Sequence, residues 1–284
     1  MSAGLMCVGG AEHTCGNIVV CLSSLLGKSG CRVLCPKRAE LALCCDLGEG
    51  KFALSYWKQQ WEGGRGPSAS TENLNHVLAV LRKVSRQLPP SAVPELIGDL
   101  EAQLQQLSLP TEIIPAAVEC LHSLKRSVQP KRPEVGERAV ETWCKQALDK
   151  CQVFLSKMLA AGGDLEAQEE QLVRHLVLLG EAAKPGPRAV SRQLHHLVQS
   201  CFAGAEDKGA RRKSAGRRSS RGGGCPQVTR LVRAHAVIVM GTLSLQNERL
   251  AKSALPIMGN ALASSADPMM RANLVVVLMD MCKR

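Results

Sequence analysis

From Thr71 onward, large apolar side chains recur three and four residues apart, the spacing that gathers them on one face of an α-helix. Leu74, Val77, Leu78, Leu81, Val84 and Leu88 define the first such face. Ser70 or Thr71 is expected to cap it, and Pro89-Pro90 to end it, because proline bars the residue before it from helical backbone. Val93, Leu96, Leu100, Leu104 and Leu107 form a second face that opens at Ser91 and stops before Pro110. Thr111 is the expected cap of a third, with Ile114, Val118, Leu121, Leu124 and Val128 turned inward. A fourth runs from about Glu134 to Leu159 and carries Val140, Trp143, Cys144, Ala147, Leu148, Cys151, Phe154, Leu155, Met158 and Leu159.

Gly162-Gly163 interrupts the pattern and Asp164 restarts it, with Leu172, Val173, Leu176, Val177 and Leu179. Pro185-Gly186-Pro187 reads as a hard turn before a helix with Val190, Leu194, Leu197, Val198 and Cys201. Residues 204–224 contain no large apolar side chain. Such a stretch buries too little surface to offset the entropy of ordering it, so a flexible, disordered loop is expected. Three further helices are predicted at about 226–244, 248–263 and 268–284. Asp267-Pro268 is a strong start signal for the last, a capping carboxylate followed by proline at the first helical position. The first 60 residues resist assignment, since the apolar runs Ile18-Val19-Val20 and Leu41 to Cys45 fit no single period.

These elements predict an all-α protein, and aromatic residues at 2% of the chain leave little from which to build a sheet. Arg233 and Arg271, each near the start of a predicted helix, are 38 residues apart, close to the roughly 40-residue period of HEAT repeats. The expected architecture is therefore an α-solenoid of stacked antiparallel helix pairs. Four regions are expected: an irregular stretch at 1–65, helical HEAT-like repeats at 66–203, the basic linker at 204–225, and further repeats at 226–284. The apolar last helix reads as a repeat array that is cut off, since terminal repeats need a polar outer face.

The net charge of +11 is mostly local. Lys208, Arg211, Arg212, Lys213, Arg217, Arg218 and Arg221 fall in one stretch without an anion, and removing these seven leaves +4. The cluster fits phosphate neutralisation on DNA, a nuclear localisation signal, or a solvated loop. Ser214, Ser219 and Ser220 stand beside arginine pairs, where phosphorylation would cancel part of the charge. A second set, Lys125, Arg126, Lys131, Arg132 and Arg138, surrounds the turn at Pro130 to Pro133 and reads first as a solvated helix end.

No catalytic constellation or cofactor motif is present: Gly48-Glu49-Gly50-Lys51 lacks the spacing and the Ser/Thr of a phosphate-binding loop, and His195-His196 has no nucleophile beside it. Structural zinc takes two closely spaced Cys pairs; Cys31 and Cys35 make one, and the adjacent Cys44-Cys45 makes a poor second, so no metal is expected. The start has no basic n-region, and Cys15 to Leu26 is too short to cross a bilayer. Neither secretion nor a membrane anchor is expected. The 13 Cys read as reduced, mostly buried thiols.

Residues 228–284 resemble the D-type HEAT-repeat subunits of condensin, most closely those of condensin II. The resemblance rests on VRAHAVIVMGTLSLQNERLAKSALPIM (232–258), followed by Asp267, Arg271, Asn273, Asp280 and Cys282. It extends to LVRHLVLLGEAA (172–183) and HLVQSCFAG (196–204), and fades before residue 120. GNALASS (259–265) and Ala272 depart from the family pattern. The resemblance implies a non-catalytic subunit, nuclear and on mitotic chromosomes, in a complex with a kleisin and coiled-coil ATPases, acting in chromosome condensation and touching DNA and histones. It implies repeat-stacking positions at Arg233, Asp267, Arg271 and Asn273, with Arg233 and Arg271 bonding an acidic residue or backbone within the stack. Arg249 and Lys252 become candidates for partner or DNA contact. The scattered aromatics suggest no cage for a methylated histone tail. A nuclear transport adaptor, or another HEAT or armadillo scaffold, is the alternative.

Overall fold

The computed structural model describes residue 57 and residues 71–161, 167–185, 190–203 and 228–283. The described residues are helical apart from turns and caps. The helices are α1 Thr71–Val84, α2 Ala92–Gln106, α3 Ile114–Ser127, α4 Pro133–Ala161, α5 Glu169–Ala183, α6 Arg192–Ala203, α7 Arg230–Gln246, α8 Glu248–Ser264 and α9 Pro268–Cys282. The fold is all-α and of the HEAT-repeat type. Contacts divide the chain between Glu137 and Arg138, inside α4, into two compact units.

In the first unit, α3 packs against both α1 and α2. The predicted stripes are buried: Leu74, Val77, Leu78, Leu81 and Val84 on α1, Leu96, Leu100 and Leu104 on α2, and Ile114, Val118, Leu121 and Leu124 on α3. Each fully buried leucine of this kind contributes about 2 kcal/mol of apolar transfer energy. The helix ends depart from the sequence reading. α1 closes at Val84 rather than near Leu88, because Gln87 turns back to donate to the Val84 carbonyl at 2.7 Å, yet Leu88 is still buried. Leu107 leaves the helix in the left-handed region, φ 50°, and keeps its place in the core. Thr111 does not cap α3. Residues 111–113 form a turn closed by Ile113 N–H on the Pro110 carbonyl at 3.0 Å, and the fully buried Ile113 occupies the capping position without a side-chain bond. Val128 lies beyond the helix and is 50% exposed, contrary to its expected inward position.

Gly136, in the first turn of α4, is also fixed by packing: a Cβ there would stand 2.7 Å from Arg126 Cα on α3. Only glycine allows that approach. Arg126 then pairs with Glu137 through two hydrogen bonds, 2.7 and 3.2 Å, across the same junction.

In the second unit, α7 is the central helix and contacts α5, α6, α8 and α9. Its interior is built from small and medium side chains, with Ala234, Ala236, Val237, Val239, Met240 and Leu243 buried. Bonds at the helix ends fix the directions. Gln246 Nε2 donates to the Lys184 carbonyl at 3.2 Å, which sets the ends of α7 and α5 together. Arg233 Nε donates to the Phe202 carbonyl at 3.2 Å, which sets the end of α6 against the start of α7. Arg230 pairs with Asp267, joining the starts of α7 and α9. So α5, α7 and α9 run one way, while α6 and α8 run the other. This is the alternation of HEAT repeats, two helix pairs and the first helix of a third.

The caps explain why the chain turns so tightly here. Thr229 Oγ1 accepts from Val232 N–H at 3.4 Å, and Asp267 Oδ1 from Met269 N–H at 2.9 Å. Asn247 alone separates α7 from α8, and its Oδ1 accepts from Arg249 and Leu250 N–H at 3.0 and 3.4 Å. Each side chain satisfies a helix-start donor that would otherwise lack a partner.

Candidate interaction surfaces

The second unit presents one edge on which the end of α6 and the starts of α7 and α9 meet. Arg230 and Asp267 span it with a two-pronged ion pair that also fixes the carboxylate capping α9. The Arg230 guanidinium holds the Asp267 carboxyl below the usual carboxylate range, helped by α9 backbone N–H groups. Ala203, which ends α6, and Val228, just before α7, bracket the stretch 204–227 in the sequence. That stretch holds Lys208, Arg211, Arg212, Lys213, Arg217, Arg218 and Arg221, with Ser214, Ser219 and Ser220, and all of these lie outside the described residues.

Of the proposed stacking positions, Arg233 is half-buried and bonds backbone of the preceding helix pair. Asp267 is the cap and ion-pair partner just described. Asn273 is half-buried on α9. Arg271 differs from Arg233, its counterpart 38 residues earlier: it is exposed, and among the described residues no hydrogen bond or ion pair engages its side chain. The stacking ion pair is made instead by Arg230, which the sequence reading passed over. Of the candidate contact residues, Arg249 is exposed in the first turn of α8, and Lys252 is exposed and pairs with Glu248 at 2.7 Å. That bond lowers the Glu248 pKa and raises that of Lys252.

The second basic set is partly spoken for within its own unit. Lys125 pairs with Glu101 at 2.5 Å and Arg126 with Glu137 at 2.7 Å, whereas Lys131 and Arg132 are exposed at the turn. The exposed Arg126–Glu137 pair holds a local geometry and contributes little energy.

Buried ionisable groups serve packing. His175 on α5 stacks on Phe154 of α4, with ring centroids 3.6 Å apart and planes 1° from parallel. Its Nδ1 lies 2.7 Å from the Gln171 carbonyl, and Cys151 Sγ donates to the His175 carbonyl at 3.4 Å. Burial pushes the His175 pKa down to about 4, against the opposing pull of the Gln171 bond and with a smaller contribution from Lys150. His195 is buried with Nε2 unbonded among the described residues, and burial, then the neighbouring His196, lowers its pKa. The thiols of Cys120, Cys151 and Cys201 are pushed up to about 12, chiefly by burial, which keeps them protonated. Among the described residues no cluster of three His, Cys, Asp or Glu could hold a metal, and no helix is long and apolar enough to cross a membrane. Cys31, Cys35, Cys44 and Cys45 lie outside those residues.

The helix pairs α5–α6 and α7–α8 coincide with the region, residues 169–262, that matches the family model for condensin-2 complex subunit D3-like HEAT repeats. The Xenopus laevis condensin-2 complex subunit D3-L is 30% identical over 247 residues, which cover 81% of this chain. The chain belongs to the condensin-2 subunit D3-like family. The Mus musculus condensin-2 complex subunit D3 is 29% identical over 245 residues, again 81% of the chain. The aligned part is 16% of each of these relatives, so the chain corresponds to a small share of a D3-type subunit. No solved structure matches it significantly.

Proposed function

We propose that this condensin-2 D3-like chain is a non-catalytic scaffold of the condensin II complex. In this reading it acts in the nucleus and on mitotic chromosomes, holding the kleisin subunit on its stacked helix faces and touching DNA through the basic stretch at 208–221. The observation that supports the reading is the coincidence of the D3-like match at residues 169–262 with two helix pairs, in a chain that carries seven closely spaced cations at 208–221. Those cations suit phosphate because each neutralised phosphate releases condensed counterions, giving affinity without sequence preference. The coiled-coil ATPases would supply the ATP hydrolysis. Arg249 and Lys252 are candidate partner or DNA contacts, and the exposed Arg271 joins them. Phosphorylation of Ser214, Ser219 or Ser220 would weaken DNA binding by offsetting the charge.

The test is a salt titration of duplex DNA binding, comparing the chain with a variant in which all seven cations are alanine. The reading predicts weaker binding and a shallower dependence on log salt, by up to about 0.9 for each phosphate no longer neutralised. Identical affinity and slope would remove the stretch from DNA binding and leave an import signal or a solvated loop.

A further inference from the structure

We draw no further inference here: the strongest candidate, the exposed apolar face of α9 formed by Val275, Val276 and Met279, carries nothing because nothing in the structure shows what covers it.

Discussion

Arg230 and Asp267, 37 residues apart in sequence, join the first turns of two successive parallel helices, and the carboxylate that receives the guanidinium also caps the second helix. One side chain thus sets both the start of α9 and its alignment on α7. The two roles separate by mutation. Asp267→Ala removes cap and ion pair together and is expected to be the most destabilising of three variants. Arg230→Ala removes only an exposed pair and should cost less than about 1 kcal/mol. Asp267→Asn keeps a capping oxygen and should resemble Arg230→Ala. Urea unfolding of the three variants checks the order.

At Gly241, α7 and α9 approach closely. A Cβ there would collide with the Val277 side chain. Alanine normally stabilises a helix interior by up to about 1 kcal/mol relative to glycine. Gly241→Ala should instead destabilise by about 1–3 kcal/mol, the usual range for overpacking. Gly259 on α8 has open space at its Cβ position, so Gly259→Ala should be neutral or stabilising. Adding Val277→Ala to Gly241→Ala should recover part of the loss, a coupling that a double-mutant thermal-unfolding cycle measures directly.

His175 makes the fold acid-sensitive. Its folded pKa of about 4 lies below the ordinary 6.5, so the unfolded chain takes up its proton more readily between those values. Stability should therefore fall as pH drops from about 6.5 towards 4, with His175 contributing on the order of 2–3 kcal/mol across that window. His175→Phe lacks the proton site while keeping an aromatic ring against Phe154. It should flatten the pH dependence over that range, as read by urea midpoints at a series of pH values.

Much of the fold was legible in the sequence because burial leaves a period. The inward stripes of α1 to α3 and the start of α9 at Asp267-Pro268 follow from apolar spacing and one capping dipeptide. Helix ends were less legible: at Leu88, Thr111 and Val128 a turn or a neighbouring buried residue outweighed the local signal. The close approaches between helices left weaker traces. The 38-residue interval between Arg233 and Arg271 pointed to the repeat; in the structure Arg233 donates to the Phe202 carbonyl and Arg271 is exposed. Pairing Arg230 with Asp267 required the helix directions, which no single-chain pattern encodes. Gly241 and Gly136 carry no distinguishing signal in the sequence, and only their packed neighbours show why no larger residue fits. The basic stretch was recognisable by composition alone, and it lies outside the described residues.

The central claim is membership in a chromosome-bound complex, and quantitative co-purification of the tagged chain from mitotic cells tests it most directly. The account predicts recovery of a condensin II kleisin and its coiled-coil ATPases in near-constant proportion, together with enrichment on mitotic chromosomes. Recovery of import receptors alone, with kleisin and ATPases at background, would contradict it.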